Sequence, residues 1–158
     1  VARTIRRTRL AAAAAAVAAV LVLAGCSVAN PITTQDPYAP SDGVRVAVTE
    51  FVSVENLMIL TTGEGEEGHL LGAVVNRSKE DVEVAFTFGE SGGAVPVRVE
   101  AGGTVNFTDA GITTESVEAA PGANITATVE MPTAGAQQVA VPVLDGTIPP
   151  YGDYLDQA

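Results

Sequence analysis

Val82-Glu83-Val84-Ala85-Phe86-Thr87-Phe88 sets an apolar side chain at every second position. Successive side chains on an extended strand point to opposite faces, so Val82, Val84, Phe86 and Phe88 share one side and Glu83, Ala85 and Thr87 the other. A helix repeats every 3.6 residues and cannot sort this stretch. The segment therefore predicts a strand with one dry face and one wet face. The same signal recurs on both sides of it. Val44, Val46 and Val48 alternate with Arg45, Ala47 and Thr49, and Val52-Ser53-Val54 and Leu57-Met58-Ile59-Leu60 continue the strand signal. Leu70 to Val75 is an unbroken apolar run, as in a strand covered on both faces. Downstream, Val95, Val97 and Val99, then Val105 and Phe107, then Ile125, Ala127, Val129 and Met131, and last Val139, Val141 and Val143 repeat the period. Pro142 in the last of these suggests an edge strand or a bulge, because it has no N–H to give a ladder.

Gly63 to Gly68, Gly89 to Gly93, Ala101-Gly102-Gly103 and Pro121-Gly122 punctuate the series with turn residues. Seven to nine short strands at this spacing predict an all-β chain, a single antiparallel β-sandwich over residues 43–146. Residues 147–158 form a tail rich in Pro, Gly and Tyr with no strand pattern. The core must be built mainly from valine, leucine, isoleucine and alanine, since the chain has no tryptophan and only 4% aromatic residues.

The first 25 residues read differently. Arg3, Arg6, Arg7 and Arg9 precede 15 apolar residues, Leu10 to Ala24. About 20 are needed to span a bilayer, so the layout is that of an export signal. Leu23, Ala24 and Gly25 followed by Cys26 resemble the lipobox of bacterial lipoproteins, where diacylglycerol alkylates the thiol and the chain is cut just before it. Cys26 is the single cysteine, so no disulfide can form within the chain. Residues 1–25 are thus expected to be a signal peptide, and 26–42 a lipidated cysteine with a Pro- and Thr-bearing flexible tether. The domain is expected on the outer face of the cell membrane, with palmitate-type lipid on Cys26 as its anchor.

Cleavage there changes the charge. The whole chain carries −11, whereas residues 26–158 hold 4 basic side chains against all 19 acidic ones, a net of −15. Such a surface repels nucleic acid phosphates and anionic headgroups. It either serves solubility alone or meets a basic patch on a partner protein.

The catalytic inventory is thin. His69 is the single histidine, and Gly89-Glu90-Ser91-Gly92-Gly93, which has the letters of a Gly-x-Ser-x-Gly elbow, falls in an expected turn between two strands, so no enzyme is expected and no catalytic residue is assigned. Soft thioether and imidazole ligands suit Cu(I), and Met58, His69 and Met131 are the candidates, though they fall on three separate expected strands. Glu64, Glu66 and Glu67 could attract Ca²⁺ but lack the spacing of an EF-hand loop, which leaves a solvated acidic loop as the default. Asn76, Asn106 and Asn124 match the Asn-x-Ser/Thr sequon and read most simply as turn and strand-end residues.

Between Val44 and Val143 the order of features resembles actinobacterial lipoproteins of the LpqE type, distant relatives of the periplasmic copper chaperones of the PCu(A)C family. The stretches that carry the resemblance are Val48-Thr49-Glu50-Phe51-Val52, Leu70 to Ser78, Asp81-Val82-Glu83-Val84, Ala120-Pro121-Gly122 and Val139-Ala140-Val141-Pro142-Val143. It implies a cupredoxin-like sandwich, within the broader group of immunoglobulin-like sandwiches. It also implies a non-enzymatic accessory subunit at the outer face of the respiratory cytochrome bcc–aa3 supercomplex. The alternative it carries is a copper metallochaperone or metal-binding lipoprotein. The copper chaperones use two histidines and two methionines; here Thr128-Val129-Glu130-Met131 keeps at most Met131 of the close His-x-Met pair. Beyond the covalent lipid no cofactor is expected.

The anchor is open to a direct test. Cys26→Ser should abolish incorporation of radiolabelled palmitate, because a hydroxyl cannot stand in for the thiolate as lipid acceptor; continued labelling of the variant would refute the lipobox reading.

Overall fold

The computed structural model describes residues 41–155; the expected signal peptide, Leu23, Ala24, Gly25, Cys26 and the tether up to residue 40 lie outside them. Alternation becomes strand through the described chain: β1 (Val44–Ala47), β2 (Val52–Thr61), β3 (Gly68–Asn76), β4 (Val82–Phe88), β5 (Val95–Val99), β6 (Thr104–Asn106), β7 (Thr113–Thr114), β8 (Asn124–Met131) and β9 (Gly135–Leu144). One short helix, α1 (Tyr151–Leu155), follows. None of the described helices is long and apolar enough to cross a membrane.

The strands hydrogen-bond in the order β5-β4-β8-β9-β2-β3-β6, with β1 added to β2 and β7 to β3. This curled sheet makes a β-sandwich whose two layers meet in β9. Residues 135–142 of β9 pair antiparallel with β8, and then Val143 and Leu144 pair parallel with Ile59 and Leu60 of β2. The expected all-antiparallel sandwich is therefore mixed at this one ladder, because β9 reaches β2 while running in the same direction. Pro142 lies just before the β2 ladder begins, on a strand whose other edge stays bonded through Val143 to Gly122 and Ala123, so its missing N–H interrupts neither ladder. β1 occupies the first half of the β2 edge that β9 takes at its far end, and Gln137 Nε2 joins the two by donating to the Ala47 and Val48 carbonyls at 3.2 and 3.3 Å.

β2 carries the decisive irregularity. Its pairing with β3 runs Val54↔Val74 and Glu55↔Ala73, then resumes at Met58↔Leu71, so Asn56 and Leu57 together face Gly72. This bulge has Asn56 at φ +54° and Gly72 at φ +114°. An extra residue reverses side-chain parity. Val52 and Val54 point into the main core before the bulge, Leu57 and Ile59 after it, and Met58 and Leu60 turn to the outer face. Asn56 also holds the start of β1, since its Oδ1 accepts from Gly43 N at 2.9 Å.

Inside, Phe86 stacks on Phe88 at 6.3 Å and meets Phe107 edge-on at 5.5 Å, ringed by Val84, Val97, Val99, Val129 and Val141. Each such ring contributes about 2–3 kcal/mol over remaining in water. At one end, the buried Asn76 carboxamide ties β3 to β5: Nδ2 donates towards the Glu80, Val99 and Glu100 carbonyls, and Oδ1 accepts from Ser78 N at 2.9 Å. No buried side-chain nitrogen or oxygen of the described residues lacks a partner.

Gly72 tests the bulge. A Cβ there would lie 2.5 Å from Glu55 O and 2.6 Å from Asn56 O, at a φ that L-residues avoid. Gly72→Ala should lose about 2–3 kcal/mol in urea unfolding, whereas Gly102→Ala, at a positive φ with open space around it, should lose less.

Candidate functional site

The bulge exposes an apolar stripe that must be covered. Met58, Leu60 and Leu71 lie on the outer face of β2 and β3, and Leu144, Tyr151, Tyr154 and Leu155 pack over them. α1 is the cover. It forms in the tail where the sequence reading assigned no element, because five residues are too few to show a helical period against Gly152. Asp153 in its first turn suits the positive end of the helix dipole. The cover is fastened at its start, where the Tyr151 hydroxyl donates to Asp42 Oδ2. That bond, with lesser contributions from burial and the Asp42 charge, pushes the Tyr151 phenol from 10.0 up to about 12.

Beside α1 the cover is incomplete. A cleft of about 170 Å³ opens between β3, α1 and the loop at 107–112. Leu71, Phe107 and Ile112 supply apolar lining, and His69, Thr108 and Tyr154 supply polar groups. His69 reaches it from β3, where it pairs with Leu60 on one side and Thr113 on the other. The loop is stitched to the sheet: Phe107 N donates to Gly72 O, Leu70 N to Ile112 O, and Ile112 N to Phe107 O, all at 2.9–3.0 Å. Asn106 Oδ1 accepts from Thr108 N and Asp109 N, and so acts as a turn residue. Among the described residues, neither the half-buried His69 side chain nor the half-buried Tyr154 hydroxyl has a hydrogen-bond partner. A wider groove of about 450 Å³ adjoins the cleft, sharing Leu71, Thr108 and Tyr154 and running past Asn56, Met58 and Tyr151.

Of the three candidate soft ligands, Met58 and His69 share the outer face of β2 and β3, since Met58 pairs with Leu71 and His69 with the neighbouring Leu60. Met131 belongs to the main core at the end of β8. The described residues contain no group of three or more His, Cys, Asp or Glu side chains placed to hold a metal ion. The sequon residues divide as well: Asn76 is buried with its amide engaged, whereas Asn106 and Asn124 are exposed.

One end of the sandwich carries acidic side chains alone among the described residues, while the other mixes Arg77 and Lys79 with Glu80, Asp81 and Glu100. Three loops meet at one end of the sandwich and present Glu64, Glu66, Glu67, Glu90, Glu115 and Glu118, all exposed. Gly65 N donates to Val117 O, Val117 N to Glu66 O, and the Glu118 carboxylate accepts from Glu90 N and Ser91 N. The Ser91 hydroxyl and these two amides hold Glu118 below the usual carboxylate range. Arg77 and Lys79 lie at the opposite end, on the loop after β3, while Arg45 and Arg98 pair with Glu55 and Asp81 at 3.0 Å. Sequence reasoning identified Glu64, Glu66, Glu67 and His69, but not Tyr154, Thr108 or Ile112. Those three join His69 only through tertiary contacts. The tyrosines of an otherwise aromatic-poor chain were the one available signal.

No family model matches the chain, and no curated protein matches it. Among solved structures, it is similar to a copper-bound PCuAC domain from PmoF2, with 18% sequence identity over 64% of this chain and 97% of that one and a TM-score of 0.48.

The clasp of α1 gives a pH signature. With the Tyr151 phenol raised from 10.0 to about 12, the folded chain keeps its proton where the unfolded chain has lost it. The stabilisation is complete below pH 10 and disappears as pH rises through 12. Tyr151→Phe should remove that slope from urea unfolding and lower stability at neutral pH by about 1 kcal/mol or less.

Proposed function

We propose that this chain is a lipid-anchored, non-enzymatic accessory protein that grips a protein partner at the outer membrane surface. The observation that carries the reading is the acidic pole. Six exposed glutamates from three interlocked loops stand at one end, away from Arg77 and Lys79. Loops fixed by backbone bonds hold these charges in place, so a basic patch can meet them with little ordering cost. The resemblance read from the sequence makes a membrane complex, the respiratory bcc–aa3 supercomplex first among them, the partner to look for.

A second reading, a copper metallochaperone or metal-binding lipoprotein, is favoured by one observation: Met58 and His69 share a sheet face. It lacks Met131, which packs in the main core.

The two separate experimentally. Full-length chain purified from native membranes in mild detergent should bring a larger complex with it. That association should weaken as salt shortens the screening length from about 8 Å at physiological strength to about 3 Å at 1 M. Changing the six glutamates to glutamine should reduce recovery, while replacing Met58, His69 and Met131 should leave it unchanged in any variant that still folds. Loss of copper tolerance in the triple variant, with no complex recovered by either form, would transfer the assignment to the metallochaperone.

A further inference from the structure

The cleft beside α1 plays no part in the acidic-pole reading, yet it has the composition of a binding site. It combines an apolar lining with a small number of convergent polar groups. Its volume of about 170 Å³ is close to that of an apolar cavity known to admit benzene, roughly 150 Å³. One six-membered ring fits within it, and a wider groove adjoins it through Leu71, Thr108 and Tyr154. Phe107 lies fully buried behind the cleft and Leu71 and Ile112 line it, so a ring would enter apolar surroundings. His69 from β3 and Tyr154 from α1 bring two side chains with no hydrogen-bond partner among the described residues to the same opening. An imidazole can accept or donate, and a phenol can do either, so together they suit a ring that carries one hydroxyl.

The surroundings decide what the ring is attached to. The exposed Asp109 follows Thr108 at the mouth, and no lysine or arginine lines the cleft. A free anion is disfavoured there, and cationic neighbours of the ring are favoured. Aromatic side chains are also the residues that protein interfaces use most as anchors.

We infer that the cleft receives one tyrosine side chain from a lysine- or arginine-flanked segment of the partner protein. This rests on the protein-binding reading and adds to it the residue that the partner inserts. The acidic pole then supplies attraction at a distance, and the cleft supplies register.

His69 is the single histidine of the chain, so its imidazole proton signals report on the cleft without ambiguity. The full chain is titrated with acetyl-Lys-Tyr-Lys-amide, acetyl-Lys-Ala-Lys-amide and phenol. The tyrosine peptide should shift the His69 signals and saturate in the range of about 1–10 mM. The alanine peptide should bind at least about ten-fold more weakly, the loss of roughly 1.4 kcal/mol. Thr108→Trp, made at an exposed position, should fill the cleft and weaken the tyrosine peptide by about ten-fold with the melting temperature unchanged. Tyr154→Phe gives a second check, since removing only the hydroxyl should also weaken it. Equal binding by the alanine peptide, or wild-type binding by both variants, overturns the inference. Phenol binding as tightly as the peptide overturns it too, and reassigns the cleft to a free aromatic ligand. In the membrane pull-down, undiminished recovery by Thr108→Trp defeats the cleft while leaving the partner-binding reading intact. No recovery even by the wild type defeats that reading itself.

Discussion

The bulge of Asn56 and Leu57 against Gly72 is the constraint on which most of the molecule depends. β2 is ten residues long and almost continuously buried, and a regular strand of that length would turn only its even or only its odd positions to the main core. One extra residue lets Val52 and Val54 share a core with Leu57 and Ile59. The same shift sends Met58 and Leu60 outward, which creates a need for α1. It also aims the Asn56 carboxamide at Gly43, so the strand that opens the domain is seated by the same irregularity. Gly72 makes this possible by having no Cβ where two carbonyl oxygens approach. Bulge, cover and cleft are successive consequences of one change in parity.

Much of the sandwich was legible because most strands have one wet face. Val84, Phe86 and Phe88 in β4, and Ile125, Ala127, Val129 and Met131 in β8, are buried as their alternation requires. The unbroken run in β3 was legible as cover on both faces, and Leu70 and Leu71 do enter different clusters. Less was read from β2, although the signal existed. Val52 and Val54 occupy even positions and Leu57 and Ile59 odd ones, which is the imprint of a bulge between them. Pro142 was legible as a sign of an edge or bulge, but not as the position just before β9 gains β2 as a second neighbour. The site was harder to see. His69 could be named from its chemistry, but its companions come from a loop and a tail whose approach depends on Asn106, Gly72 and Asp42. Such contacts between distant segments leave no local period.

The two ends of the sandwich are held by different means. Near Arg77 and Lys79, the Asn76 carboxamide satisfies backbone carbonyls that would otherwise be stranded at the seam between β3 and β5. At the acidic end, Glu118 does the reverse and accepts from the backbone amides of the turn after β4. One side chain supplies donors where carbonyls converge; the other supplies an acceptor where amides do. This arrangement lets the acidic loops concentrate like charges without splaying, because one of the glutamates is engaged in holding a neighbouring loop.

Sharing β9 between both layers also sets an order of events. β9 follows every other strand in the chain, and each layer is missing a member until it arrives. A growing chain can form hairpins such as β2–β3 or β4–β5 early, but neither sheet closes before residue 144 is free to pair. Contacts between segments so far apart in sequence also make closure slow compared with the making of local turns. The domain is therefore built to finish folding only after almost all of it has been released.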